Sequence, residues 1–434
     1  MSEVTVGLIG LGAILFLFLT GIELGFAMLI IGFLGFGYLI SWGAAFNLLA
    51  KDFFDVFNTY GFTVIPLFIL MGQIAFNSGV AKRLFDAAYK FIGHVPGGLA
   101  MATVVGATAF KAICGSSPAT AATFSLVAIP EMDRYGYSKK LSTGIVACVG
   151  TLGVILPPSV TLIIFGIITD QSIGRLFLAG IIPGLIISFF FVVVIYGWCK
   201  IDPKVGPKGE KTSWPNRMRA LPEVIWVLVI FCLMIGGILK GFFTPTEAGS
   251  VGTALVLILT FIQRDMNIKG YIKSVKEASR TAVMVLVLLC GSTVLGHFIA
   301  VTKIPMITAD WVVGLPLHPG IILFLIVLIY LIGGSFIDDL AFMILATPIF
   351  FPCIAKLGYN PLWFGIMICI TVMIGVVLPP VAMNVFVVKQ ITKVPFGVIY
   401  AGVYPFLISL CIGGLILFLF PGIATWLPNM LMPG

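Results

Sequence analysis

The chain has 434 residues, of which 60% are apolar and only 10% charged, with a mean hydropathy of +1.17. A soluble globular protein carries about 25% charged residues, so that class is excluded. The formal charge of +8 does not mark a nucleic-acid surface, because the 25 Lys and Arg collect between apolar segments instead of covering one face.

Stretches free of Asp, Glu, Lys and Arg cover residues 4–22, 24–50, 56–81, 141–169, 176–199, 281–302 and 394–434. Each is near or above the roughly 18 residues a membrane-spanning helix needs. They recur along the whole chain and lack the period-two alternation of a lipid-facing barrel, which predicts a polytopic all-α membrane protein. No cleavable signal sequence is expected. The eight Cys stand singly in apolar sequence without a C-x-x-C pair, and read as packing residues.

In chain order, residues 4–20, 24–40 and 61–78 predict three crossings that end at the basic group Lys82, Arg83, Lys90. Residues 96–130 then lead to a second basic group, Arg134, Lys139 and Lys140, and so must pass an even number of times. Their middle reads Cys114-Gly115-Ser116-Ser117-Pro118-Ala119-Thr120, helix breakers and hydroxyls where a span should be apolar. A re-entrant hairpin fits, with a polar tip tolerated only inside protein or beside a wet cavity. Residues 138–169 predict a crossing broken at Gly150 to Pro158, and 176–199 return to the basic segment 200–219. Two amphipathic segments, 44–60 and 264–280, are expected to lie along the bilayer surface.

A shift of 222 residues superimposes the chain on itself. Pro130 meets Pro352, Gly136-Tyr137 meets Gly358-Tyr359, Gly153 meets Gly375, Pro157-Pro158 meets Pro379-Pro380, and Pro183 meets Pro405. All four prolines of the first window meet prolines, which marks a duplication. Five crossings per copy is an odd number, so the second copy is inverted, an arrangement typical of transporters. The expected organisation is 1–95, first scaffold helices and surface arm; 96–199, first hairpin, broken helix and following helix; 200–220, basic linker; 221–316, second scaffold; and 317–434, second hairpin, broken helix and final helix.

Broken helices free backbone carbonyls and amides that must find an ion, a ligand or protein partners. In the first copy Gly115, Ser116, Ser117 and Thr120 are expected to face the break with Thr151, Gly153 and Leu156. In the second, Gly334, Ser335, Asp338 and Asp339 are expected to face the break with Gly375, Leu378 and Asn384. Such carbonyl, hydroxyl and carboxylate oxygens suit a hard cation such as sodium. The alternative is that the hydroxyls only bond back to helix carbonyls and the prolines only kink. Asp338-Asp339 is the sole acidic pair between residues 311 and 355, and one of the two has the alternative of capping helix amides. Lys111 either draws an anionic substrate toward the first tip or snorkels to the interface. His94, His297 and His318 share no metal-like spacing. No G-x-x-x-x-G-K-[ST], H-E-x-x-H or G-x-S-x-G occurs, so energy is expected from an ion gradient or a partner, not from an enzymatic reaction of this chain.

Gly115-Ser116-Ser117-Pro118-Ala119-Thr120, Ile129-Pro130-Glu131-Met132 with Gly136-Tyr137, Gly150-Thr151-Leu152-Gly153, Leu156-Pro157-Pro158-Ser159 and Ala179-Gly180-Ile181-Ile182-Pro183-Gly184 resemble the large membrane subunit of tripartite ATP-independent periplasmic (TRAP) transporters. Pro348, Pro352, Pro379-Pro380 and Asn384 extend the likeness to the second half. Ala382 departs from the Gly usual after the second Pro-Pro-x. The resemblance implies a multi-pass protein of the bacterial inner membrane, working as an elevator coupled to sodium. It also implies a small four-helix membrane subunit and a periplasmic binding protein that delivers a carboxylate of the C4-dicarboxylate or sialic acid class. On it, the cation set is Gly115, Ser116, Ser117, Thr151, Gly153, Leu156, Ser335, Asp338, Asp339, Gly375 and Leu378. The substrate set is Lys111, Ser117, Pro118, Thr120, Pro158, Asp339, Pro380 and Asn384. A stand-alone sodium-dicarboxylate symporter is the alternative, and a channel or structural subunit a poorer third.

Topology follows from the charges. Nineteen of the 25 Lys and Arg fall in five groups that the positive-inside bias puts in the cytoplasm, whereas Lys51, Arg175, Lys240, Lys303 and Lys356 fall outside. Both termini are then external, with ten crossings and two hairpins. Single cysteines substituted at Lys139 and Lys273 should react only from the cytoplasm, and at Lys51 and Lys303 only from outside. Labelling of position 273 by an impermeant reagent in intact cells would overturn the scheme.

Overall fold

A computed structural model of the chain describes residues 2–336 and 339–432. Ile337 and Asp338 lie outside the described residues, as do the side chains of Val313 and Asp339. All regular structure among the described residues is helical. The first repeat runs α1 (Glu3–Leu19), α2 (Leu24–Leu39), α3 (Trp42–Asn58), α4 (Val64–Asn77) and α5 (Val80–Ile92). Its hairpin is α6 (Gly98–Lys111) and α7 (Ser117–Arg134), its broken crossing α8 (Lys139–Thr151) and α9 (Val160–Ile168), and its last helix α10 (Ile173–Ile201). After the linker and α11 (Trp214–Met218), the second repeat gives α12 (Leu221–Leu239), α13 (Pro245–Ile262), α14 (Ile268–Val301) and α15 (Ile304–Val313). Its hairpin is α16 (Pro319–Phe336) and α17 (Asp339–Lys356), its broken crossing α18 (Pro361–Gly375) and α19 (Met383–Thr392), followed by α20 (Phe396–Leu419) and α21 (Gly422–Leu431).

The helix ends are written in the sequence. Ser116, Ser159, Ser172 and Asn267 each cap a helix N-terminus by accepting from a backbone amide three residues on, and Thr244 with Glu247 forms a complete capping box. The duplicated Gly-Tyr pairs close α7 and α17 in the same way. Gly136 and Gly358 adopt φ of 73° and 77°, a left-handed turn open to a residue without Cβ. The amides of Tyr137 and Tyr359 then bond to the carbonyls of Met132 and Ile354, five residues back, at 2.9 and 3.2 Å.

One expectation needs correction. Residues 264–280 do not form a separate surface helix: from Ile268 the chain continues as a single 34-residue helix to Val301. In the first copy Thr59 and Gly61 interrupt the path, and a short 3-10 turn at Tyr60–Thr63 separates the surface helix α3 from α4. The corresponding stretch of α14 contains no proline, so nothing stops propagation. In the first copy α3 is a separate helix, with Trp42, Phe46, Phe54 and Phe57 exposed.

The repeats interlock. Among the helices read as scaffold α2 packs on α14 and α4 on α13; among the hairpins and the helices that follow them α7 packs on α19, α9 on α17, and α8 on α20. Without a hydrophobic drive between helices in lipid, close approach through small residues does this work. A Cβ on Gly32 would come within 2.7 Å of the Leu295 amide, and one on Gly144 or Gly402 would collide with the facing helix backbone. The faces also sort by charge. Arg83 of α5 binds Asp265 at 2.6 Å and Glu223 at 2.8 Å, joining segments read as cytoplasmic, while Lys303 binds Glu3 at 3.1 Å among segments read as external.

The glycine contact between α8 and α20 yields a stability test. Gly144→Leu should cost about 1–3 kcal/mol of stability or more by overpacking, whereas Gly12→Leu, with nothing within 4 Å of its added Cβ, should be neutral. Melting curves of the detergent-purified variants read the difference; equal melting temperatures would remove the packing argument.

Candidate functional site

The first tip is held together by hydrogen bonds within the protein. Lys111 ends α6, is 0% exposed, and turns its ammonium back over the tip, donating to the Ser116 carbonyl at 2.9 Å and to the Thr120 hydroxyl. Thr120 in turn donates to the same Ser116 carbonyl at 2.9 Å. Gly153 faces the ammonium, and any Cβ there would strike Nζ. Gly115 lies against the Pro158 carbonyl with no room for a side chain, so the tip rests directly on the break. Ser117 is buried and donates to the Gly150 carbonyl at the end of α8 at 2.9 Å. Thr151 bonds back to the Cys148 carbonyl at 2.8 Å, and Leu156 is buried against Gly184.

Two expectations about this tip are corrected. Lys111 does not snorkel, because its nitrogen bonds inside the protein, and it is absent from the walls of the neighbouring cavity. Asn384 does not face the second tip. It is completely buried in the first, where Nδ2 donates to Ser117 Oγ at 3.2 Å and to the Ala147 carbonyl at 3.1 Å. The interlock causes this: α19 packs on α7, so the first polar residue after the second break lands on the opposite hairpin.

At the second tip Gly375 sits close to Gly334, whose carbonyl carbon would lie 3.1 Å from an added Cβ. The Val381 amide donates to the Ser335 carbonyl at 3.3 Å, and Ser335 Oγ bonds back to Leu331 at 2.7 Å. The Leu378 amide continues the helix to Ile374 at 2.9 Å. Phe336, Pro380 and Val381 are exposed. Asp338 lies outside the described residues, and Asp339 opens α17.

Beside the first tip lies a cavity of about 540 Å³ between the scaffold and the hairpins. Gln73 of α4 and Glu277 and Arg280 of α14 form its polar scaffold wall; Ser116, Ser117 and Pro118 form the facing wall, with Met383 and Leu340 from the second repeat. Among the described residues Arg280 has no ion-pair partner. The N-terminus of α7 opens toward it, a positive end suited to anions. Sequence reading missed the scaffold wall, because Glu277 and Arg280 were absorbed into the basic surface segment; Gln73, a polar residue inside a charge-free span, was the available signal.

The fold and this site define a helical membrane transport protein of two inverted repeats. The family model described as the DctM component of the tripartite ATP-independent periplasmic transporters matches residues 11–423, and the chain belongs to that family. It is 34% identical to the C4-dicarboxylate TRAP transporter large permease protein DctM of Pseudomonas aeruginosa, over 88% of this chain and 90% of that one. It is 31% identical to the sialic acid TRAP transporter large permease protein SiaM of Vibrio cholerae, over 96% and 97%. The isethionate TRAP transporter permease protein DctMQ of Oleidesulfovibrio alaskensis is 35% identical over 79% of this chain, which spans 54% of that longer protein. The crystal structure of the Alcanivorax borkumensis YdaH transporter shares the fold, with a TM-score of 0.62 over 88% of this chain and 89% of that one, at 14% identity. The chain is a multi-pass permease of the bacterial inner membrane.

The bond between Ser117 and Asn384 joins the two repeats inside the site. Ser117→Ala and Asn384→Ala should each destabilise by about 1–3 kcal/mol, because each strands a buried polar group. The double variant should lose less than the sum, by about 1 kcal/mol. Denaturant melts of the four proteins give the coupling, and strict additivity would show that the contact contributes nothing.

Proposed function

We propose that this chain takes up a small organic carboxylate, of the C4-dicarboxylate or sialic acid class, by a sodium-coupled elevator movement. The observation that carries the reading is the cavity beside the first tip, where the guanidinium of Arg280, without an ion-pair partner among the described residues, stands across from the Ser116 hydroxyl and the α7 N-terminus. A guanidinium binds a carboxylate through two parallel donors, and the helix end and the Ser116 hydroxyl supply the remaining donors. Arg280 belongs to the face read as cytoplasmic, so this cavity would be the releasing state. The printed names of the relatives, which include C4-dicarboxylate and sialic acid permeases, agree with such a substrate.

The coupling cation would bind where broken helices leave oxygens free, with Ser335, Gly375 and Leu378 near the second tip and Asp338 or Asp339 supplying charge. A small four-helix subunit would widen the scaffold, and a periplasmic binding protein would deliver substrate to the outer face. The longer DctMQ relative, with sequence beyond this match, is in keeping with a fused small subunit.

The test is reconstitution in liposomes with the small subunit and binding protein present or omitted one at a time. Uptake should require all three parts and a sodium gradient, Asp338→Asn or Asp339→Asn should raise the sodium concentration for half-maximal uptake, and Arg280→Gln should weaken transport by on the order of tenfold. Robust uptake by the isolated chain would support the stand-alone symporter instead.

A further inference from the structure

The two hairpins are copies, and their tips differ where charge matters most. The 222-residue shift that superimposes the broken helices places Lys111 on Gly333, Thr120 on Phe342, and Ser116-Ser117 on Asp338-Asp339. The structure bears out this register at the tip itself. Lys111 touches Thr120 in the first hairpin, and the Phe342 ring fills the space beside Gly333 in the second. One tip therefore carries a lysine among neutral residues, and the sequence of the other carries carboxylates, with Gly333 at the position that matches the lysine.

A buried ammonium is costly unless its environment supplies compensating oxygens. Lys111 is 0% exposed, and among the described residues it forms no ion pair. What surrounds Nζ is the Ser116 carbonyl, the Thr120 hydroxyl and the side-chain-free face of Gly153. Carbonyl and hydroxyl oxygens at the junction of two broken helices are the donor set of a hard cation. The ammonium is itself a compact point charge, held at the C-terminal end of α6, where positive charge is favoured.

We propose that the Lys111 ammonium is the resident cation of the first hairpin tip, standing between Ser116 and Thr120 where a sodium ion would otherwise be needed. The first repeat then consumes no coupling ion, and the sodium dependence of transport arises at the second repeat. The inference rests on the sodium coupling proposed above and specifies which repeat bears it. Gly153 leaves free the space that the Lys111 nitrogen occupies, and a Cβ there would have to displace it.

The test uses the permease with its small subunit and binding protein in liposomes, together with equilibrium binding of radioactive sodium to the purified membrane complex. Wild type should bind one sodium per chain. Lys111→Ala, which opens the space, should bind one more and show a steeper sodium activation curve; at low sodium its uptake should fall by on the order of tenfold or more, returning at high sodium. Lys111→Met, which keeps the stem but not the charge, should lose uptake at every sodium concentration. Two or more sodium ions on wild type would overturn the proposal whether or not either variant folds. So would Lys111→Ala and Lys111→Met failing alike without recovery by sodium, the outcome of a purely structural lysine. Wild-type sodium dependence with an unchanged curve in Lys111→Ala removes this proposal alone, whereas no sodium response in any protein removes the coupling reading and this proposal with it.

Discussion

Each of the two broken crossings frees backbone groups in a place without bulk water, and every one of them must be met. The first break meets this demand from within. Ser117 takes the Gly150 carbonyl, Asn384 the Ala147 carbonyl and Ser159 the Val154 carbonyl, at 2.9, 3.1 and 2.5 Å, while Lys111 and Thr120 share the Ser116 carbonyl. These side chains are buried, so the first hairpin and its break form one closed polar cluster. Hydrogen bonds between the hairpin and its break thus tie the two into one polar body.

The exchange of partners between repeats extends that body. Because α7 packs on α19 and α9 on α17, neither repeat owns a complete site, and Asn384 of the second repeat completes the polar cluster of the first. The scaffold is crossed in the same way through α2 with α14 and α4 with α13. Duplication thus produced two interlocked units, each built from both copies, in place of two domains set side by side. Inverted repeats that share their elements in this way would give the proposed movement two pseudo-symmetric end positions.

Much of this was legible in the sequence, since its signals are local. Prolines, Gly-Tyr turns and serine caps set where helices stop, and the 222-residue repeat paired hairpin with hairpin. Two features were not legible. The unbroken course of α14 was hidden because amphipathic periodicity in 264–280 reads alike for a surface helix and for the wet end of a long span; only the absence of a breaker before Leu289 separates them. The position of Asn384 was hidden because sequence adjacency put it beside the second break, and the packing of α19 across the repeat boundary cannot be read from spacing. The cavity wall at Glu277 and Arg280 depended on both.

The boundary between the units has its own chemistry. Among the described residues, no side-chain hydrogen bond or ion pair joins α4 or α14 to the first hairpin or its broken helix. Directional bonds instead stay inside the scaffold, as between Asn77 and Ser274 or Thr253 and the Leu67 carbonyl, at 3.1 and 2.9 Å. What faces the hairpin across the cavity is mainly apolar, with Phe68, Met284 and Leu288 opposite Ala122, Val154 and Val160. Apolar contact is non-directional and loses little when one surface is displaced along another, whereas a hydrogen-bonded boundary would hold a single register. The exposed ion pair that does cross, Lys356 of α17 with Asp310 of α15, lies at the far end of the second hairpin from its tip. Around the cavity, polar pairing kept to each side with a greasy seam between them is the distribution of forces that would let the proposed carrier slide without unmaking its site.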